Sequence, residues 1–172
     1  MGPVETELTI REFQPGDEAA FRRLNEEWIV RHFKMEPKDE HSLADPWGTI
    51  LNPGGRILLG ILNGEAVGCC CLVAMGPGEF EVAKMAVTER ARRHGVGRRL
   101  LAAAIETARV EGAARLFLET NHALTPAIRL YESMGFRHIP PERVHPSPYA
   151  RADVFMELEF ERGAQASSRS CA

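Results

Sequence analysis

The sequence predicts a single α/β domain whose sheet contains both antiparallel and parallel strands. The chain has 172 residues, of which 44% are hydrophobic. That length and composition suit one domain with one sizeable core. Two apolar runs joined by Asn63-Gly64 indicate an antiparallel hairpin, because this dipeptide favours a tight hairpin turn. From residue 80 onward, strand-like and helix-like segments alternate, and such an order requires parallel pairing.

The first third of the chain predicts a strand, a helix and an irregular segment. The strand is expected over residues 8–13, and the helix begins after Asp17, its predicted cap. The apolar side chains of this helix recur at helical spacing, and they are Ala20, Phe21, Leu24 and Trp28. Residues 34–55 contain several prolines and a Gly-Gly pair, so a short helix and loops are expected there.

The remaining elements are predicted in a regular order. They are strands over residues 56–62, 66–74 and 80–87, a helix over 96–111, a strand around 116–118, a helix over 125–135 and a closing strand over 154–160. The run Leu116-Phe117-Leu118 is continuously apolar, which is typical of a strand covered on both faces. Thr125 is the predicted cap of the last helix, and Gly135 is its predicted left-handed end.

Composition argues against several classes of protein. The net charge is −3, whereas proteins that coat nucleic acid are usually basic. No apolar run reaches about eighteen residues and no secretory signal is recognisable, so we expect no membrane partner and a cytoplasmic location. Cys69, Cys70 and Cys71 are consecutive and would alternate between the faces of a strand, so they cannot share one zinc ion. No metal site is expected.

A glycine-containing turn between a predicted strand and a predicted helix indicates a diphosphate site. Gly95 and Gly97 would allow backbone N–H groups to converge where the helix directs its positive end. A dinucleotide fingerprint would need a small residue in place of Leu100, and a phosphate-binding Walker loop would need Lys-Ser or Lys-Thr at residues 98–99. The five arginines between residues 90 and 99 leave a nucleic-acid patch as an alternative, which the acidic net charge disfavours.

Two motifs in this half of the chain resemble the signatures of the GNAT superfamily of N-acetyltransferases. The first is Arg92-Arg93-His94-Gly95-Val96-Gly97, which follows the strand ending Lys84-Met85-Ala86-Val87. The second comprises Asn121 and the segment Ala127–Phe136, which reads AIRLYESMGF. The resemblance implies one GNAT domain over residues 1–162, with a mixed central sheet of about seven strands and helices on both faces. Residues 163–172 are small and polar and are expected to be a disordered tail.

The resemblance also implies acetyl-CoA as cosubstrate. The residues that it assigns to cofactor binding are Met85, Ala86, Val87, Arg92, Arg93, His94, Gly95, Val96, Gly97, Arg98, Asn121 and Tyr131. Tyr131 occupies the usual general-acid position of the family and would stabilise the leaving thiolate. The alternative is an ordinary core residue, because Leu124, Ile128 and Tyr131 share one helical face.

A general base is expected beside the transferred acetyl group. An amine with a pKa of about 10.4 is neutral only about a few times in ten thousand at neutral pH, so a base aids the reaction. Glu81 is the predicted catalytic base and Glu119 the second candidate, and either could instead pair with an arginine at a strand end. Strand parity places Glu81 on the same face as Met85 and Val87, unless a bulge resets the parity.

The predicted acceptor is a primary amine of a small molecule, such as an amino acid. Trp28, Glu119 and Arg151 are the predicted substrate contacts, with the Arg151 guanidinium suited to a carboxylate. Pairing of Arg151 with Glu142 or Asp153 is the alternative. A protein lysine or N-terminus as acceptor remains open, as does a non-catalytic CoA-binding sensor. A homodimer would be common in this superfamily, although no motif identifies an interface.

Overall fold

The computed structural model describes residues 7–161, so the predicted tail over residues 163–172 lies outside them. The elements, in chain order, are β1 (Leu8–Glu12), α1 (Glu18–His32), α2 (Pro37–Ala44), β2 (Arg56–Leu62), β3 (Glu65–Gly76), β4 (Glu79–Val87), α3 (Val96–Val110), β5 (Arg115–Thr120), α4 (Thr125–Ser133), β6 (Arg137–His138) and β7 (Val154–Glu159). A π-helical turn over Trp47–Leu51 follows α2. Among the described helices, none has both the length and the apolar content needed to cross a membrane.

The predicted mixed sheet is confirmed. It has seven strands in the order β1-β2-β3-β4-β5-β7-β6, and β4–β5 is its parallel pair. The predicted hairpin joins β2 to β3 through Asn63 and Gly64, whose φ angles of 51° and 78° are both positive, as the tightest hairpin turn requires. The strand β6 was not predicted, because two residues carry too little periodicity to recognise.

The parallel pair is short, and this opens the sheet. Pairing between β4 and β5 ends at Glu81 and Phe117, whereas β5 pairs with β7 along its full length as far as Thr120 and Val154. The carboxyl ends of β4 and β5 therefore diverge. In α/β sheets, ligands bind at such a point beyond the carboxyl ends of the strands.

Helices cover both faces of the sheet, as predicted, and they bury two apolar clusters. The cluster beneath α3 includes Cys70, Leu100 and Leu116, and the cluster beneath α1 and α2 includes Cys69 and Cys71. Burial raises the pKa of the Cys69 thiol to about 12, which keeps it protonated and unreactive. The alternation of the three thiols between the two faces confirms the strand geometry predicted for them.

Asp17 is the N-cap residue of α1, as predicted, but its side chain makes no capping bond to the helix. Its carboxylate instead accepts hydrogen bonds from the Arg11 guanidinium at 2.7 and 3.0 Å and from Gln14 N at 2.7 Å. The cap predicted for α4 is wrong. Thr125 is the first residue of α4 rather than its cap, because the helix begins one residue earlier than the sequence pattern indicates. Gly135 ends the α4 segment with a φ of 101°, as predicted.

The prediction that β5 is covered on both faces is also wrong in part. Leu116 and Leu118 are buried, but the burial of β5 alternates and Phe117 is only half-buried. The Phe117 ring stacks on Phe155 of β7 with centroids 6.4 Å apart. One face of β5 therefore packs in the core while the other carries aromatic and charged side chains.

Candidate active site

A cleft of about 780 Å³ lies where β4 and β5 diverge. One wall is apolar and is formed by α4 and the end of β4, with Met85, Val87, Leu124, Ala127 and Leu130. The opposite wall contains polar and aromatic side chains, and these are Asn25, Trp28, His32, Asp39, Lys84, Tyr149 and Arg151. A single cleft thus joins a second, polar end to five of the predicted cofactor residues, which are Met85, Val87, Arg92, Arg93 and Tyr131.

The glycine turn stands at the start of α3. Gly95 has a φ of 70°, a conformation that favours glycine. A Cβ at Gly97 would lie 3.8 Å from both Leu130 and Val87, so Gly97 faces the gap between α4 and the end of β4. The first N–H groups of a helix have no acceptor within the helix, and those of α3 begin at Val96. This turn fits a diphosphate.

Arginines flank the same end of the cleft. Arg92 and Arg93 line it, and Arg92 Nη2 lies 3.3 Å from His32 Nε2. Arg98 points elsewhere, because its guanidinium donates to Ser133 Oγ at 3.1 Å near the end of α4. His94 is exposed beside Gly95, whereas Val96 and Ala86 are buried in the core.

A β-bulge at Lys84 overturns the predicted orientation of Glu81. Lys84 has a φ of 51°, and the register with β3 shifts between the pairs formed by Ala83 and by Ala86. Met85 and Val87 consequently pack toward the α3 cluster. Glu81 precedes the bulge and lies on the other face, so its predicted shared face with Met85 and Val87 is wrong.

Two carboxyl groups lie side by side on the face beneath α1 and α2. Glu81 is in register with Phe117, and Glu119 follows on the same face of β5. Burial, and next the charge of Glu119, raise the pKa of Glu81 to about 7. Burial also raises the pKa of Glu119, although Ser147 Oγ donates to it at 2.9 Å. Neither pairs with an arginine among the described residues, in contrast to the alternative foreseen for them.

Tyr131 belongs to both the core and the cleft. It is 8% exposed, and its ring meets Phe136 edge-on with centroids 6.0 Å apart. Burial raises the pKa of its hydroxyl, so the side chain stays protonated and is a hydrogen-bond donor. It also lines the cleft between the apolar wall and β4. The geometry permits the predicted general-acid role, which stays a prediction.

The Asn121 amide holds two loops together. Its Nδ2 donates to the Arg151 carbonyl at 2.8 Å, and its Oδ1 accepts from Ala123 N at 2.8 Å. Asn121 is not among the cleft-lining residues. Its contact with a cofactor therefore stays a prediction, whereas its bracing of the loop after β5 is observed.

The polar end of the cleft contains residues that sequence reasoning missed. His32 lies one helical turn after Trp28, and their rings are 5.1 Å apart. Burial, followed by the charges of Arg92 and Arg31, lowers the pKa of His32 and favours its neutral form. Helical spacing from Trp28 could have identified His32. Within residues 7–161, no group of histidine, cysteine, aspartate and glutamate could hold a metal ion.

Arg151 lines the cleft, but its guanidinium is already bound. Its two terminal nitrogens donate to the Asp39 carboxylate at 2.8 and 2.9 Å, and Nη1 also donates to Glu36 at 3.1 Å. The guanidinium that was predicted to bind an acceptor carboxylate is thus held by Asp39 and Glu36, and its contact with a substrate stays a prediction. The alternative partners Glu142 and Asp153 are wrong, since Asp153 pairs with His122. Asp39 lies far from Arg151 in sequence, and no local pattern indicates the pair.

We expect Arg151→Met to destabilise the fold strongly. Asp39 is fully buried, and removal of its bidentate partner leaves most of its charge uncompensated. Chemical denaturation should show a loss of about 2 to 4 kcal/mol in the free energy of unfolding. Arg11→Met is the matched control, since Arg11–Asp17 is also bidentate but more exposed, and it should cost about 1 kcal/mol or less. Equal losses would contradict the assignment.

The diverging strands β4 and β5 and the glycine turn before α3 together define an acyltransferase architecture. Comparison of the sequence with known protein families leads to the same class. The sequence model described as the acetyltransferase (GNAT) family matches residues 18–136. The chain therefore belongs to the GNAT family of acetyltransferases, and the predicted resemblance is confirmed.

Individual relatives and structures support the same assignment. An uncharacterized N-acetyltransferase of Schizosaccharomyces pombe is 29% identical over 153 residues, covering 86% of this chain and 91% of the relative. The crystal structure of a GNAT-family acetyltransferase from Staphylococcus aureus Mu50 aligns with a TM-score of 0.80 at 21% identity, covering 89% and 99% of the two chains. The structure of yncA from Salmonella typhimurium with its cofactor acetyl-CoA aligns with a TM-score of 0.72 at 23% identity, covering 94% and 98%.

Proposed function

We propose that this acetyltransferase uses acetyl-CoA to acetylate a primary amine of a small molecule, such as an amino acid. The observation that carries the proposal is the single cleft, which runs from Arg92 and Arg93, next to the glycine turn, to the polar wall beside Lys84 and Tyr149. A donor can enter at the glycine turn while an acceptor occupies the opposite end, and their reacting groups would meet where β4 and β5 part.

The backbone at the end of β4 supplies the donor site. Pairing with β5 stops at Glu81, so β4 beyond the bulge presents an unpaired edge toward the cleft. The pantetheine chain can pair with residues 85–87 as an added strand, while the N–H groups at the start of α3 bind the diphosphate. A backbone N–H at this edge would polarise the thioester carbonyl as the amine attacks.

Glu81 and Tyr131 can divide the proton transfers. Glu81 is not among the cleft-lining residues, so the amine loses a proton to it through a water molecule, and the nitrogen attacks the thioester carbonyl carbon. As the carbon–sulfur bond breaks, the electron pair moves to sulfur, and the Tyr131 hydroxyl donates a hydrogen bond to the thiolate. A tyrosine pKa near 10 lies above that of a thiol, about 8.5, so stabilisation by a hydrogen bond is more favourable than full proton transfer.

We expect Glu81→Gln to remove the acidic limb of the pH–rate profile. Because the pKa of Glu81 is about 7, its carboxylate becomes protonated below that pH and can no longer accept a proton from the amine. The kcat/KM of the unmodified enzyme should therefore fall on acidification. With kcat/KM expressed per concentration of neutral amine, so that the titration of the acceptor itself does not enter, the variant should lose about a hundredfold and retain a flat profile in this range. Glu79→Gln is the control, because Glu79 lies on the same strand but pairs with Arg115. An unchanged acidic limb in Glu81→Gln would exclude Glu81 as the base.

The same residue predicts a pH-dependent stability. The raised pKa means that the folded protein binds the Glu81 proton more tightly than the unfolded chain does. This binding contributes free energy of unfolding below pH 4.5, the ordinary pKa, and the contribution is lost as pH rises through about 7. Glu81→Gln should therefore stabilise the protein by about 2 to 3 kcal/mol above that pH and change little at acidic pH. Denaturation curves at the two pH extremes measure the difference. A stability gain that does not depend on pH would contradict the raised pKa.

The enclosure of the acceptor end favours a small acceptor over a protein. The segment from Ser147 to Arg151 crosses this end and is fixed to α2, where Ala150 N donates to Glu36 Oε1 at 2.9 Å. Lys38 Nζ also lies 5.1 Å from the centre of the Tyr149 ring. Peptide recognition commonly uses an open groove or sheet edge, whereas small molecules bind in enclosed clefts.

The test of the proposed function is a thiol-release screen with acetyl-CoA. The panel contains amino acids, polyamines, aminoglycosides and peptides that end in a free N-terminus or contain lysine. We expect release with a small amine and little with peptides. Release with peptides alone would favour the protein acetyltransferase, and acetyl-CoA binding without turnover of any amine would favour the sensor.

A further inference from the structure

Lys84 is a buried cation at the acceptor end of the cleft. Its side chain is 8% exposed and lines the cleft, and it is the residue of the β4 bulge. Within the part of the chain that the structure describes, its one ion-pair partner is Asp39 Oδ1 at 3.5 Å, and no residue makes a hydrogen bond with Nζ. A lysine ammonium has three donors, so Nζ keeps donors that a ligand in the cleft can use.

Asp39 cannot neutralise Lys84 fully, because it already serves Arg151. Its Oδ2 accepts from Glu36 N at 2.9 Å and from Arg151 Nη1 at 2.8 Å, and its Oδ1 accepts from Arg151 Nη2 at 2.9 Å. One buried carboxylate thus faces two cations, the buried Lys84 and the partly buried Arg151. Glu36 adds a second negative charge, but that charge is directed to Arg151 rather than to Lys84.

Glu81 and Glu119 also lie near this point, and burial raises the pKa of both carboxyl groups, which opposes their ionisation. Glu81 lies close enough for Lys84 to favour its ionised form, yet the buried position of that carboxyl favours its neutral form. Lys38, on α2, acts on Glu81 in the same sense as Lys84 and adds positive charge. A further anion at Lys84 would therefore be stabilised by a cation held in a poorly hydrated site.

We propose that Lys84 binds a carboxylate of the acceptor, so that the preferred substrates are amines that also carry a carboxylate, such as amino acids. The inference rests on the proposed function, which it makes more specific. Lys84 directly precedes Met85 in the part of β4 that does not pair with β5. An acceptor bound through its carboxylate at Lys84 would hold its amine a few bonds away, close to the thioester carbonyl. Lys84 thereby takes the role that sequence reasoning assigned to Arg151.

The test compares acceptors that differ only in charge. Thiol release with acetyl-CoA is measured for α-amino acids and β-alanine beside their carboxamides, at equal concentrations of the neutral amine. The unmodified enzyme should favour the carboxylate of the best pair. Lys84→Met should lower kcat/KM for that carboxylate by about tenfold to a hundredfold, the range for loss of a charge-assisted hydrogen bond. The carboxamide should lose little, and Lys84→Arg should restore part of the preference.

Measuring the carboxamide of each acceptor distinguishes a loss of carboxylate recognition from a distortion of the β4 bulge. If Lys84→Met distorts β4, both members of a pair lose activity equally, and that result would overturn the inference. Lys34→Met is the matched control, because Lys34 is an exposed lysine that is not among the cleft-lining residues and should leave the preference unchanged. A carboxamide preferred by the unmodified enzyme, or turnover confined to amines without a carboxylate, would also overturn it. No turnover of any amine would instead refute the proposed function, with acetyl-CoA binding followed separately by calorimetry.

Discussion

Replacing Gly97 with leucine is expected to abolish acetyl-CoA binding while leaving the protein folded. A Cβ at Gly97 has room, since Leu130 and Val87 both lie 3.8 Å away, but a larger side chain would project into the gap between them. It would separate the diphosphate from the N–H groups at the start of α3. Loss of two or more such charge-assisted bonds corresponds to an affinity decrease of about a hundredfold or more.

Calorimetry with acetyl-CoA measures this change, and two variants make it interpretable. Gly97→Ala should have an intermediate effect, because its Cβ makes ordinary contacts. Ala102→Leu enlarges an exposed side chain of the same helix and should leave affinity unchanged. NADH and ATP should produce no comparable binding to the unmodified protein. If Gly97→Leu binds acetyl-CoA with unchanged affinity, the glycine turn is not part of the acetyl-CoA site.

Tyr131→Phe is expected to lower turnover by about tenfold to a thousandfold, the range for losing an acid or its charge stabilisation. The substitution keeps the ring and therefore the edge-on contact with Phe136. Thermal stability should hold, because only the hydroxyl is removed. The effect should appear in kcat rather than in the affinity for acetyl-CoA, since the hydroxyl acts on the sulfur only as negative charge develops.

Tyr149→Phe provides the matched control for this prediction. Tyr149 also lines the cleft and also has a pKa raised by burial, but it lies on the polar wall opposite α4. Removing the Tyr149 hydroxyl should alter kcat much less than removing the Tyr131 hydroxyl does. Unchanged turnover in Tyr131→Phe would assign Tyr131 to packing alone.

The features that were predicted correctly depend on local sequence. The Asn63-Gly64 hairpin and the left-handed end at Gly135 follow from conformations that few residues adopt. The extent of α3 follows from the helical periodicity of its apolar residues, and Leu100, Leu101, Ala104 and Ala108 on one face of it are buried. The glycine turn between β4 and α3 was likewise located from the motif, because its two glycines and the flanking elements are close in sequence.

The features that were not predicted depend on register and on distant partners. A single inserted residue at Lys84 reverses the face of every later residue of β4, and no sequence pattern marks a lysine as the site of a bulge. Likewise, no sequence pattern indicates that Asp39 pairs with Arg151, because the two residues are more than a hundred positions apart. The acceptor end of the cleft is assembled mainly from such contacts, so its chemistry became apparent only in the structure.

Transfer of a labelled acetyl group tests the central claim most directly. The enzyme is mixed with acetyl-CoA carrying a carbon-13 acetyl group and with equimolar amino acids and N-terminal peptides, and the products are identified by mass spectrometry. The account predicts free CoA and one N-acetylated small amine in equal amounts, with the label on the amine nitrogen. Label found on peptides instead, or CoA released only by hydrolysis to acetate, would contradict it.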